Sequence, residues 1–261
     1  MAEVKAAKHL GQHFLTDESV ISRLVAAIQP QQGVDIVEIG PGLGALTLPL
    51  LKECAKLTAI EFDRRVLSPL ARDAAQYGQL EIINADILSV DFASLNLKSP
   101  LKVVGNLPYN LSSPIIFHCL AQRTLIQDMY FMLQKEVVER LCAVPGSKTY
   151  GRLSIMVQLW CQAEALFEIP PDAFDPPPKV DSAVVRLTPL AEPAWPVADF
   201  AVFDQIVRAA FGQRRKMLRK SLSQWFSAAD FVALEIDPTA RPESLGGEVF
   251  ARLANHLSEA T

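Results

Sequence analysis

The stretch Val103-Val104-Gly105-Asn106-Leu107-Pro108-Tyr109-Asn110 concentrates the residue types most able to do chemistry in this 261-residue chain. An apolar run of strand type breaks at Gly105, and Pro108 fixes its own φ while pushing Leu107 into an extended conformation, so the break is stiff. It would hold an amide side chain, a run of backbone carbonyls and an aromatic ring at the end of a buried strand, where open α/β sheets place ligands. Those groups suit a planar base carrying an exocyclic amine. Asn106 Oδ1 and a carbonyl near Leu107 or Pro108 can accept both amine hydrogens, while Tyr109 offers a face for stacking. Taken alone, Asn-Leu-Pro-Tyr is also an ordinary turn, and the neighbouring segments decide between the two.

Three further strands end in the same manner. Val34 to Ile39 reads as a first strand running into Gly40-Pro41-Gly42-Leu43-Gly44, with a helix over Ala45 to Lys56 that tolerates Pro49 because it falls in or near the first turn. Strand, glycine-rich turn and helix together let a ligand approach the backbone closely. The spacing is G-x-G-x-G rather than the G-x-G-x-x-G of dinucleotide binders, which disfavours a nicotinamide dehydrogenase. Leu57 to Ile60 is a second strand ending in Glu61, whose carboxylate can accept hydrogen bonds from both hydroxyls of a ribose. Leu80 to Ala85 is a third, ending in Asp86, placed to receive an adenine amine; Leu101 to Val104 is a fourth, ending in Asn106. Polar strand ends are common singly. Four in succession at one sheet edge point to a ligand.

Composition bounds the rest. Half the residues are hydrophobic, enough for one full α/β core and a small second unit. No run approaches the roughly 18 apolar residues of a membrane span, and Met1 to Gly11 has lysines but no apolar signal core, so a cytoplasmic location is expected. Cys54, Cys119, Cys142 and Cys161 are widely spaced and read as buried free thiols, with no metal site. A net charge of −4 confines any nucleic-acid surface to a local patch.

Lys5 to Leu15 reads as a mobile arm, followed by a helix from Thr16 that ends at Pro30. Helices are expected over Pro114 to Ala121 and Glu136 to Val144, and strands over Asp128 to Leu133, Ser154 to Leu159 and Ala183 to Leu187. Between them, Ile169 to Val180 is a stiff proline loop on which Phe174 either packs beneath the loop or faces a ligand. The domain division expected is residues 1–188, a linker over 189–196 and a helical domain over 197–261. In that last part Arg214, Arg215, Lys216, Arg219 and Lys220 put five positive charges in seven residues, a solvated face or a phosphate track.

With these motifs assembled, the chain resembles the S-adenosylmethionine-dependent adenine dimethyltransferases of ribosomal RNA, in particular the bacterial small-subunit (16S) family. The match runs from Lys8-His9-Leu10-Gly11-Gln12-His13-Phe14-Leu15 through Glu38 to Gly44, Asn106 to Asn110, Phe131 to Val137 and Phe174 to Val180 to Arg241-Pro242-Glu243-Ser244-Leu245. The resemblance implies a Rossmann-like seven-stranded sheet with its last strand antiparallel and a C-terminal all-α domain. It implies S-adenosyl-L-methionine as cofactor, held at His13, Leu15, Gly40, Glu61, Asp86 and Asn106. It implies a methyltransferase that N6,N6-dimethylates two adjacent adenines in a hairpin loop near the 3′ end of 16S rRNA during small-subunit biogenesis. Asn106, Leu107, Tyr109 and Phe174 would hold the base, the two rings sandwiching it, and the basic run would grip RNA of the immature subunit. No metal and no membrane are implied, and nothing demands more than a monomer. The arm becomes a flap over the methionine end of the cofactor. Many members have Asn where this chain has His13; imidazole can still donate to the cofactor carboxylate. The rivals are a large-subunit rRNA enzyme of the antibiotic-resistance type, a DNA amino-methyltransferase, and a ribosome-assembly factor whose methylation is secondary.

Overall fold

A computed structural model describes residues 12–98, 100–212 and 216–259. Among the described residues nine strands are present: β1 (Phe14–Leu15), β2 (Ile36–Ile39), β3 (Lys56–Glu61), β4 (Gln79–Asn84), β5 (Leu101–Asn106), β6 (Ile126–Gln134), β7 (Cys161–Ile169), β8 (Phe174–Asp175) and β9 (Ser182–Pro189). Seven of them form one sheet in the order β4-β3-β2-β5-β6-β9-β7, while β1 and β8 pair antiparallel as a separate ribbon. Strands β4, β3, β2, β5 and β6 run parallel, and β9 lies antiparallel to β6. The central strands are buried on both faces, which is why Ile36 to Ile39 and Leu101 to Val104 are near-continuous apolar runs rather than alternating ones.

The helices between strands are α1 (Glu18–Ile28), α2 (Thr47–Cys54), α3 (Arg64–Ala74), α4 (Ser112–Ala121) and α5 (Lys135–Leu141). Asp17, one residue beyond the expected Thr16, caps α1 by accepting from Ser19 N and Val20 N. Pro49 stands third in α2, where its missing N–H has no helical partner to lose. From β2 the chain moves outward through β3 and β4, then returns to lay β5 against the other side of β2. The strand order therefore reverses between β2 and β5, and the register pairs Ile39 with Gly105 at that point. A crevice opens there because the connections leave in opposite directions.

The chain divides into two compact units. One runs to Val138 and resumes over Glu164–Pro189; the other comprises Glu139–Ala163 and continues from Leu190. The second contains α6 (Arg152–Gln158), α7 (Phe200–Gly212), α8 (Leu218–Ser221), α9 (Ala228–Ala233) and α10 (Gly247–Glu259). Two expectations change here. Ser154 to Leu159 is helical, not a strand, because Gly151 N donates to Ser154 Oγ at its start and Ser154 Oγ in turn donates to the Arg140 carbonyl. That helix belongs to the second unit, where Ile155 and Leu159 share a core with Phe203, Ile206, Val207 and Phe250. The boundary expected at residue 188 is thus too simple. The seventh sheet strand is instead Cys161–Ile169, whose charged and apolar residues hid it. Among the described residues no helix is long and apolar enough to cross a membrane, and no cluster of His, Cys, Asp and Glu could hold a metal.

Glu38 sits inside β2 at 2% exposure, with Thr47 Oγ1 of α2 donating to its Oε2 at 2.6 Å. Burial pushes its carboxyl up to about 8, against the lowering effect of Thr47. A carboxyl that binds its proton more tightly in the native state contributes stability that is complete below its unfolded pKa, 4.5, and lost as pH rises through about 8. Glu38→Gln keeps an acceptor for Thr47 and cannot ionise. Urea unfolding from pH 5 to pH 8 should show the variant gaining on the parent at up to about 1.4 kcal/mol per pH unit. Parallel stability curves would mean that Glu38 is ionised in the native protein.

Candidate functional site

A cavity of 1280 Å³ occupies the reversal point, lined by the ends of β2, β3 and β5, the glycine turn and the arm from Gln12 to Thr16. The glycine turn takes this path because Gly40, Gly42 and Gly44 all adopt positive φ, at +67°, +54° and +89°. A side chain at Gly40 would project toward open space near the Asn106 carbonyl, and one at Gly42 would press on the Phe14 ring at 3.1 Å. Backbone is thus exposed to the cavity at Gly40 and roofed at Gly42.

Glu61 ends β3 with both carboxylate oxygens oriented by backbone. Gly42 N donates to Oε2 at 3.1 Å and Asp63 N to Oε1 at 2.7 Å. One lone pair on each oxygen remains for a vicinal diol. Burial raises the Glu61 carboxyl, and these two N–H groups counter it. Phe62, 64% exposed, stands beside it as a free aromatic face. Asp86 spends Oδ1 on Leu88 N at 3.0 Å and keeps Oδ2 for a donor from the cavity. Gln12 anchors the arm to this edge: its Nε2 donates to Asp63 Oδ2 at 3.0 Å, and Arg65 binds the same carboxylate at 2.6 Å. The Arg65 guanidinium holds the Asp63 carboxyl well below the usual range.

At the end of β5, Asn106 Nδ2 donates to the His13 carbonyl at 2.9 Å. Since a carbonyl can only accept, the amide orientation is fixed and Oδ1 remains for an incoming amine. Of the two candidate carbonyls, that of Pro108 already accepts from Leu111 N at 2.9 Å and Ser112 Oγ at 3.2 Å. Among the described residues nothing donates to the Leu107 carbonyl, whose own N–H binds the Met132 carbonyl at 3.2 Å. Tyr109 is held at its far end by Ser182 Oγ, 2.7 Å from the phenol oxygen. Burial pushes that phenol up, with Ser182 opposing.

His13, Leu15, Gly40, Glu61, Asp86, Asn106, Leu107 and Tyr109 therefore meet in one cavity. Phe174 does not. Its backbone pairs with Leu15 across the β1–β8 ribbon and its ring is 3% exposed in the core formed with Leu15, Val20 and Leu24, so in this conformation it packs beneath the loop and cannot stack on a base. The arm is tied rather than mobile from Gln12 onward, with Thr16 N donating to the Ala173 carbonyl at 2.8 Å; Lys5 to Gly11 lie outside the described residues. Arg214 and Arg215 also lie outside them. Lys216, Arg219 and Lys220 are exposed at the start of α8 in the second unit. Gln12, Phe62 and the paired use of Gly42 N and Asp63 N on Glu61 escape sequence reading; the adjacency of Phe62 to Glu61 was the available signal for Phe62.

Residues 3–259 match the ribosomal RNA adenine dimethylase family. A ribosomal RNA small subunit methyltransferase A of Dichelobacter nodosus is 58% identical, the alignment covering 98% of this chain and 97% of that protein. One from Xanthomonas oryzae is 54% identical over 96% and 95%. Among solved structures, a dimethyladenosine transferase from Plasmodium falciparum superposes with a TM-score of 0.81 at 26% identity, covering 95% of this chain and 98% of that one. The 23S rRNA methyltransferase ErmE does so with 0.74 at 26% identity, covering 94% and 99%. The full-length family match, with the glycine turn, Glu61 and Asn106 gathered at one cavity, makes this chain a member of the ribosomal RNA adenine dimethylases.

Proposed function

We propose that the cavity binds S-adenosyl-L-methionine and that the chain dimethylates N6 of two adjacent adenines in a hairpin loop near the 3′ end of 16S rRNA, in the cytoplasm, on the immature small subunit. The observation that carries this reading is the pair of acceptors at the end of β5: Asn106 Oδ1, oriented by the His13 carbonyl, and the unengaged Leu107 carbonyl. They match the two hydrogens of an adenine amine.

The residues fit the cofactor. Glu61 offers a two-oxygen acceptor for a ribose diol, Phe62 a face for adenine, Asp86 Oδ2 an acceptor for its amine, and Gly40 an open backbone beside Asn106. His13 and Leu15 on the arm close the remaining wall. When bound, the cofactor supplies an electrophilic methyl on a sulfonium. The protein's task is then orientation. Adenine's amine is a weak nucleophile because its lone pair is delocalised into the ring, and two acceptors on its hydrogens localise that pair and aim it. Alignment is worth roughly 7–11 kcal/mol, against about 3–5 for a general base, so positioning decides the rate. With the methyl group supplied in this way, Asn106 Oδ1 and the Leu107 carbonyl would hold the amine nitrogen in line with it, and the amine would release one proton to solvent on transfer. Tyr109 supplies stacking of about 1–3 kcal/mol, which offsets the cost of unstacking the adenine from the loop.

Likeness to ErmE favours a large-subunit target as the second reading. Labelled methyl transfer to unmodified small subunits, large subunits and duplex DNA in parallel, with nucleoside analysis, separates the readings; dimethyladenosine in large subunits alone would reject the small-subunit one.

Asn106→Ala is expected to lower kcat by at least a hundredfold while RNA affinity changes less than about threefold. Weaker RNA binding with an unchanged rate would contradict its role. Lys216, Arg219 and Lys220, each replaced by Gln, should reduce the slope of log K against log salt by about 2–3, since each lost phosphate contact removes about 0.7–0.9. An unchanged slope would assign the basic run to a solvated face.

A further inference from the structure

One side of the Tyr109 ring is partly occupied by the protein itself. The His13 imidazole stacks on the Tyr109 ring, centroids 5.6 Å apart and planes inclined by 22°. Its Nδ1 lies 2.7 Å from the Pro176 carbonyl and must carry the proton there, because a carbonyl only accepts. Two rings that enclose a base need about 7 Å between them, twice the contact distance of roughly 3.5 Å. At 5.6 Å between nearly parallel planes the imidazole is displaced by about 4 Å across the Tyr109 ring, so it overlaps the rim of that ring and no base fits between the two. The second ring assigned by sequence to the base, Phe174, is buried in the core and is not available to open it.

We propose that His13 is a placeholder for the target base: its ring overlaps the rim of the Tyr109 face that the adenine takes and swings away when the base enters. This rests on the reading of Tyr109 as the stacking platform. The geometry permits the exchange at small disturbance, because His13 is held twice by different atoms. Its carbonyl keeps Asn106 oriented, while among the described residues its side chain is held by the Pro176 bond and the Tyr109 stack. Side-chain rotation releases the second pair and leaves the first in place. Tyr109 itself does not need to move, since Ser182 fixes its phenol. An incoming base must offer more stacking than imidazole does, which favours a purine over a pyrimidine.

The test uses the full chain with labelled histidine, the His13 ring signals being assigned by their loss in His13→Asn. The free protein should show these protons shifted upfield by the Tyr109 ring current, and Tyr109→Leu should abolish the shift. On saturation with a short RNA hairpin carrying two adjacent loop adenines, saturation being checked by fluorescence anisotropy, the shift should vanish. His13→Asn should bind that hairpin about 2- to 10-fold more tightly, the loss of an aromatic pair that RNA must otherwise displace. Cofactor affinity is measured separately so that any effect at the arm is not read as base binding. An upfield shift retained at saturating RNA overturns the proposal, as does unchanged or weaker hairpin affinity in His13→Asn. If Tyr109→Leu leaves both hairpin affinity and turnover unaltered, the platform reading itself fails, an outcome distinct from failure of the placeholder alone.

Discussion

The hydrogen bond from Asn106 to the His13 carbonyl is the constraint on which the site depends. An asparagine amide is nearly symmetric in shape, and without a partner of fixed polarity either its NH2 or its oxygen could face the cavity. A backbone carbonyl removes the choice. That carbonyl is placed by the β1–β8 ribbon, by the bonds from Thr16 N and Oγ1 to the Ala173 carbonyl, and by Gln12 on Asp63. The arm is therefore part of the acceptor apparatus as well as a wall of the cavity. Its attachment at Asp63, the residue whose N–H orients Glu61, joins the Glu61 end of the cavity to the Asn106 end.

The sheet order explains why these groups can meet. Residues as far apart in sequence as Gly40, Glu61 and Asn106 are gathered because β2 has β3 on one side and β5 on the other, and all three strands point the same way. Close approach at the reversal is enforced at Gly105, where a side chain would lie 2.6 Å from the Ile39 carbonyl.

Sequence revealed most of what depends on short-range chemistry. Glycines that need positive φ, a proline that fixes an extended residue, and polar groups at strand ends are local signals, and the structure places Gly40, Glu61, Asp86 and Asn106 where those signals put them. What stayed hidden depends on packing. Ser154 to Leu159 is a short, nearly continuous apolar run, which fits a buried strand and a buried helix alike, so periodicity could not distinguish the two. Phe174 was equally compatible with a buried and a presented ring, and only the pairing of Leu15 across it decides for burial. Which carbonyl of the Leu107-Pro108 pair is available depends on Leu111 and Ser112, which a motif of four residues does not contain.

On the proposed function, dimethylation makes an uneven demand on the two acceptors. Unmodified adenine brings two N–H groups to Asn106 Oδ1 and the Leu107 carbonyl. After the first transfer one N–H has been replaced by a methyl group, so one acceptor must lose its donor or turn to water. A buried acceptor left without a partner costs about 1–3 kcal/mol. The second transfer is then held by one hydrogen bond and by stacking, and stacking is the term that methylation does not diminish. Leu107, 1% exposed, has no freedom to move its carbonyl, since its N–H is bound to β6. Asn106 is more adaptable only at the expense of its bond to His13. The ring of Tyr109, immobilised through Ser182, is therefore the group that carries the base through both rounds, and its fixed position is what allows a substrate with half the donors to be presented at the same angle.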